Sequence, residues 1–168
     1  DRIIVGEIRR KREAEVLFEA MHTGHSVYGT LHANNVRETV NRITNPPIDL
    51  PKQLLSSVSM VVVQHINRRT NRRRTLQIAE ILPSGEPRVL MQLNPLRDAL
   101  EIVNEPLAIL ETLNLYTGFS KPEIYADIQS KIAILRWMVS RNLTDVNKIG
   151  IIMSKYYHNK PFMQLKGV

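Results

Sequence analysis

Glu7 and His32 are the residues from which chemistry can first be argued in this chain. Glu7 follows the apolar run Ile3-Ile4-Val5 and Gly6, and His32 closes the β-prone stretch SVYGTLHA. A carboxylate can orient a water molecule, and an imidazole can hydrogen-bond an oxyanion such as a phosphate oxygen. With His25 and the hydroxyls of Thr23 and Thr30 nearby in sequence, the set suits hydrolysis. Each residue also has a plainer reading. An acid just after a strand is often a solvated loop charge, and a single histidine often sits at the surface or satisfied in a core. His22, His25 and His32 invite a zinc hypothesis, but their spacing matches no common site, and no cysteine or nearby acid completes the set. GHSVYGT imitates the opening of a GxxxxGK[ST] phosphate loop. Thr30 stands where the lysine is needed, and a strand rather than a helix follows the first glycine, so it is not such a loop.

These side chains need elements that carry them to one place. The run at residues 3–5 predicts a strand buried on both faces, as in a parallel sheet. REAEVLFEAMHTG predicts a helix with Val16, Leu17, Ala20 and Met21 on one face and Gly24 as its stop. One helix between two strands is the pattern of a crossover joining parallel neighbours. Ligands of open parallel sheets sit beyond the carboxyl ends of the strands. Glu7 and His32 are therefore expected on a common rim, with the Thr23–His25 segment facing it too.

Beyond that rim, Asn35 suits the cap of a helix running to about Ile43, which the prolines of NPPIDLPK end. A short helix over 52–57 leads to the strand SMVVVQHINR, then a hairpin with Thr70 and Asn71 at its tip, then a turn at PSGEP and a last strand, RVLMQL. From Pro95 the texture is helical: DALEIVNEPLAILETLNL, KPEIYADIQSKIAILRWMVSR and TDVNKIGIIMSKYY space their apolar residues for helices. Pro122 suits the first turn of the second, and Thr144 or Asp145 the cap of the third. The fold class read from the residues is α/β over 1–95, followed by an all-helical part over 96–168.

Composition narrows the field. The 168 residues are 43% hydrophobic, enough for a real core. No cysteine is present, which excludes disulfides and thiolate metal sites within these residues and agrees with a cytoplasmic setting. No run reaches the roughly 18 apolar residues of a membrane span. A net charge of +7 permits nucleic acid or an anionic membrane surface as partner, and is also found in nucleotide-binding enzymes.

Taken together, RIIVGEIR and TGHSVYGTLHANN resemble the type II/type IV secretion ATPases, the RecA-like hexameric motors of type II secretion, type IV pili and the archaellum. Gly6 to Arg9 match that family's Walker B box, and Thr23, Gly24, His25, Thr30, Leu31, His32 and Ala33 match its histidine box, with the boxes at the right separation. PPIDLPKQLLSSVSMVVVQHINRR and TLQIAEIL look like the strand and hairpin that follow. IAILRWMVSRN, VNKIGIIMSKYY and Arg10 look more like the archaeal branch. The resemblance implies a partial RecA-like core (1–95) and a helical C-terminal subdomain (96–168). It implies Glu7 as the catalytic carboxylate, meeting Mg²⁺ only through water, and His32 reaching the γ-phosphate of ATP. It further implies His25 as a support there, Thr30 and Arg9 shaping the nucleotide pocket, and Asp1 as the aspartate before the strand. The full-length protein is then expected to be a homo-hexamer at the cytoplasmic face of the membrane, working with a membrane platform protein.

Two rivals stand beside it. Arg68, Arg69, Arg72, Arg73 and Arg74 crowd the hairpin tip, where a β-ribbon can enter a nucleic-acid groove, although no aromatic residue interleaves with them for base stacking. Their other readings are a solvated tip or a contact with a subunit or the membrane platform. An adaptor whose tail docks a partner through Trp137, Tyr156 and Tyr157 is the second rival; at helical spacing these aromatics read rather as core. By the resemblance, the phosphate loop and arginine-bearing segments lie upstream of Asp1. Since backbone amides and the loop lysine supply most phosphate affinity, the 168-residue segment on its own is expected to give no Glu7-dependent phosphate release from Mg-ATP, as a phosphate-release assay on the purified segment would check.

Overall fold

The structure, a computed structural model, describes residues 2–159. Asp1, matched above to a family position, lies outside them. The chain divides between Ile109 and Leu110 into two compact units.

The first unit begins with β1 (Arg2–Glu7), α1 (Lys11–His22) and β2 (Ser26–Thr30). β1 and β2 pair in parallel, from Arg2 opposite Ser26 to Glu7 opposite Thr30, with a register shift between Val5 and Glu7. The expected crossover is present. The expectation that β1 is buried on both faces does not hold: Ile3 and Val5 turn inward, while Ile4 is 80% exposed beside Tyr28 at 60%. Among the described residues the ribbon has two strands, and it packs α1 and the core on one side. α1 buries Ala14, Leu17 and Phe18, with Met21 packed against them, so its inner stripe runs i, i+3, i+4, i+7 and Val16 faces solvent, contrary to the reading above. Gly29 makes the close packing possible, since a Cβ there would lie 2.6 Å from Leu17 Cδ1 and 3.1 Å from Ile8 Cδ1. Gly24, at φ +86°, ends α1 as expected.

α2 (Val36–Thr44) is capped by Asn35, whose Oδ1 accepts the Glu38 N–H at 2.8 Å. A 3-10 helix (Lys52–Ser57) then precedes a four-stranded antiparallel meander: β3 (Met60–Asn67), β4 (Arg72–Ile81), β5 (Pro87–Asn94) and β6 (Ala99–Ile102), paired in that order. β6 corrects the expectation that RVLMQL is the last strand and that 98–115 is one helix. Ala99, Leu100, Glu101 and Ile102 extend β5 by antiparallel pairing, and helix begins only at α3 (Ala108–Thr117). The β5–β6 turn holds Asp98 at φ 49°, a conformation Asp tolerates in turns. Leu17, Phe18, Val40, Ile43, Leu55 and Ile81 meet in one core, which joins α1, α2 and the 3-10 helix to the end of β4.

β4 also supplies two polar ties, one part-buried and one through a buried carboxylate. The Val36 N–H donates to Gln77 Oε1 at 2.9 Å, and Gln77 Nε2 donates to Gln92 Oε1 at 2.8 Å. Glu80 is fully buried and accepts the Leu107 N–H (2.9 and 3.1 Å to its two oxygens) and the Ile109 N–H (3.1 Å). It thus serves the open donors at the start of α3, with Arg88 Nε 3.7 Å away.

In the second unit, α4 (Lys121–Ser140) starts at Ser120 with a capping box closed by Glu123 and carries Pro122 in its first turn; Asp145 Oδ1 accepts the Lys148 N–H at the start of α5 (Val146–Asn159). Ser130 Oγ and Tyr156 OH lie 2.8 Å apart and link α4 to α5. Trp137 and Tyr157 are exposed rather than core, contrary to expectation, and Trp137 stacks under the Arg141 guanidinium at 5.1 Å. α4 is apolar on nearly every side of IAILRWMV, and within its unit it buries only Ile124 and Met138.

Removing the buried Glu80 carboxylate takes the acceptor from the part-buried Leu107 and Ile109 N–H groups and the nearby anion from Arg88. E80A is expected to destabilise the protein by about 3 kcal/mol, and E80Q by less because an amide oxygen still accepts. Urea-denaturation midpoints measure both; an E80A midpoint within error of wild type would show the cap to be idle.

Candidate functional site

Parallel pairing puts the ends of β1 and β2 on one rim. There His32 Nε2 approaches Glu7 Oε1 at 3.3 Å. On its other side, Arg9 Nη2 donates to Glu7 Oε2 at 2.5 Å. That guanidinium bond is the largest influence holding the Glu7 carboxyl below the ordinary carboxylate range; desolvation opposes it, and the charges of Arg9 and His32 add to it. Glu7 is consequently an anion at neutral pH, with its side chain 27% exposed, while the His32 ring is 83% exposed and open to a ligand.

Local backbone structure explains why the acid stands there. The Thr30 hydroxyl donates to the Gly6 carbonyl across the ribbon, and the Ile8 N–H donates to the Thr30 carbonyl at 2.8 Å, locking the bulge that carries Glu7. The loop between β1 and α1 is then pinned by Glu13, whose Oε2 accepts the N–H groups of Arg9 (2.8 Å) and Arg10 (2.7 Å). Those backbone bonds hold the Glu13 carboxyl below its ordinary value.

Glu7, Arg9 and His32 line a cleft of about 400 Å³, closed by Ile8, Leu31, Arg42 and the Pro46-Pro47-Ile48 segment. Arg42 is held by Glu38 at 3.1 Å. A carboxylate, an imidazole and two guanidinium groups around an open cleft can orient a water and receive an anionic group.

The structure brings Glu7, Arg9, Thr30 and His32 together but not His25. Ser26 pairs with Arg2 and Thr30 with Glu7, so His25 stands at the opposite end of the ribbon, separated by the length of β2, about 17 Å. Its Nδ1 lies 3.1 Å from the Thr23 hydroxyl. The expectation that the Thr23–His25 segment faces the Glu7 rim is thereby corrected: a residue preceding a parallel strand lies at the strand's amino end. The arginine tip divides as well. Arg74 and Arg72 bind Asp98, at 2.7 and 3.2 Å, whereas Arg68, Arg69 and Arg73 are exposed at the tip.

Glu13 and Arg42 went unread in the sequence. Glu13 does sit three residues after Arg10, the spacing of a capping box, but an arginine at the cap position hides a motif recognised by Ser or Thr. Arg42 gave no signal, because its place depends on where the proline segment folds back.

A parallel ribbon with acid and imidazole on one rim, followed by an antiparallel meander, is the mixed α/β framework in which the boxes lie. The sequence pattern of the type II/IV secretion system protein family matches residues 1–98, and the chain belongs to that family. The uncharacterized protein MJ0900 of Methanocaldococcus jannaschii is 30% identical over 166 residues, covering 92% of this chain and 30% of the relative. The type IV pilus assembly ATPase PilB of Acinetobacter baylyi is 39% identical over 82 residues, covering 48% of this chain and 14% of the relative. The protein transport protein HofB homolog of Escherichia coli is 37% identical over 70 residues, 41% of this chain and 15% of the relative. This chain therefore spans less than a third of the length of each of the three.

Because the Glu13 carboxyl has a lower pKa folded than unfolded, its contribution to stability is complete above about pH 4.5 and vanishes as pH falls through the folded value. E13Q is expected to melt a few degrees below wild type at pH 7, and the gap to close as pH falls below about 4.5 through the folded value. Paired thermal melts across that range test this; a gap independent of pH would mean that the ionised carboxylate is not what pins the loop.

Proposed function

We propose that this chain is the Walker B-onward part of a RecA-like, ATP-hydrolysing motor, in which Glu7 orients the attacking water and His32 meets the γ-phosphate. The observation that carries the reading is the 3.3 Å approach of Glu7 and His32 from adjacent parallel strand ends, over a cleft that also presents Arg9 and Arg42. Family membership over 1–98 and the likeness to PilB, itself named an assembly ATPase, support ATP as the substrate. The exposed Ile4 and Tyr28 face and the two-stranded ribbon suit part of a larger core.

Mg²⁺ would neutralise phosphate charge in such a site. Among the described residues no three acidic or histidine side chains gather to hold a metal ion. The donor set on the rim, one ionised carboxylate beside a cleft open to water, fits contact by Glu7 through a bound water. What these residues themselves do is narrower. Arg9 keeps Glu7 anionic and aimed, His32 shares that carboxylate and offers its exposed ring to an oxyanion, and Thr30 holds the bulge beneath them. His25 has no part in this cleft.

The 168 residues include no GxxxxGK[ST] loop, and the motor reading requires one elsewhere in the same protein. In the full-length protein, residues 1–95 would complete a RecA-like domain and 96–168 a helical subdomain. The assembly would be a homo-hexamer driving export, pilus or archaellum assembly at a membrane platform. An archaeal-type member is favoured because the Methanocaldococcus relative matches 92% of the chain, beyond the 48% matched by PilB.

In the full-length protein, E7Q is expected to lower kcat for ATP hydrolysis about 100-fold or more with KM little changed, and H32A to lower kcat in the same direction. Steady-state phosphate release measures both. Retention of wild-type kcat by E7Q would remove the reading.

A further inference from the structure

The strand order of the meander brings two turns to one end of the sheet: the β3–β4 tip at residues 68–71 and the β5–β6 turn at residues 95–98. β4 pairs Gln77 with Gln92, and β5 ends at Asn94, so the arginine hairpin runs about three residues, roughly 10 Å, past the end of β5. Asp98 joins the turns by binding Arg72 at 3.2 Å and Arg74 at 2.7 Å.

That end of the sheet has an unusual composition. Arg68, Arg69, Arg72, Arg73, Arg74 and Arg97 stand there against two carboxylates, Asp98 and Glu101, and Glu101 is engaged by Arg97 at 3.3 Å. Arg68, Arg69 and Arg73 project into solvent at the tip. Between Pro95 and Arg97, at the neighbouring apex, Leu96 is 96% exposed, and Ile66 at the base of the tip is exposed as well. An aliphatic side chain held wholly in water at a turn apex costs the hydration free energy of its surface unless something covers it.

We propose that this end of the meander is a membrane-surface contact that takes anionic phospholipid headgroups, with the arginines on the phosphates and Leu96 entering the acyl boundary. The chemistry selects lipid over nucleic acid. A cationic collar around an aliphatic prong matches an interface whose charge lies above its apolar layer, whereas a nucleic-acid groove offers Leu96 nothing and the tip carries no aromatic platform. Asp98 has a structural part: by binding both Arg72 and Arg74 it keeps the prong beside the collar. The hydrogen bond from Arg74, helped by the charges of Arg74 and Arg72, also holds the Asp98 carboxyl below its ordinary range, so the link is intact at neutral pH. No helix among the described residues is long and apolar enough to cross a membrane, and a contact of this kind needs none. The proposal is independent of the hydrolytic reading, since none of its residues lines the Glu7 cleft.

The test is co-sedimentation of the full-length protein with vesicles of phosphatidylcholine alone or with one third phosphatidylglycerol, at 100 mM salt. Binding is expected only to the anionic vesicles. The triple change Arg68→Ala, Arg69→Ala, Arg73→Ala should weaken it about 100-fold, on the scale of basic residues at an anionic surface. L96S should weaken it about tenfold with the charge unchanged. Both variants alter exposed tip residues, and circular dichroism verifies their fold. Binding unaffected by either variant, equal binding to neutral vesicles, or a salt-sensitive gel shift of duplex DNA that the triple change abolishes while vesicles are ignored would each overturn the proposal.

Discussion

Parallel pairing of β1 with β2 is the constraint on which the candidate site rests. Two strands that run the same way must end on the same side, and whatever follows each of them shares that rim. Had the pair been antiparallel, the acid after the first strand and the imidazole after the second would stand at opposite ends. α1 makes the parallel arrangement possible, being the connection that returns the chain to its starting side, and Gly29 lets it lie close enough to seal the core.

Around that rim the charges are arranged in layers. Glu7 is flanked by a guanidinium and an imidazole, so its anionic state is favoured although part of its surface has left water. Glu13 does a different job. Its carboxylate is spent on backbone N–H groups and fixes where Arg9 begins its reach. Two glutamates six residues apart, one ending β1 and one in the first turn of α1, thus divide the labour: one faces the cleft, the other holds the loop between them.

Much of this could be read from the letters, and the failures are physical. Parallel strands, the crossover helix, the caps at Asn35 and Asp145 and the arginine hairpin all follow from local patterns: periodicity, turn residues and capping side chains. What could not be read depended on partners distant in sequence. Ile4 looked buried because an apolar run does not reveal how many neighbours its strand will have. β6 was hidden because ALEIV fits either period, and only the Leu100–Leu93 register decides for the strand. His25 lies at the other end because strand direction overrides the proximity that its motif suggests. Trp137 looked like core because a helix apolar on all sides does not say which side will find a neighbour.

Glu80 bears on how the chain reaches this state. The donors it accepts lie 27 and 29 residues further along, so the first turn of α3 cannot be completed from its own neighbourhood. A peptide covering that helix alone would fray at its beginning. In the whole chain, that turn is completed by a side chain of β4, so the start of the helix is tied to the meander rather than to its own sequence neighbours.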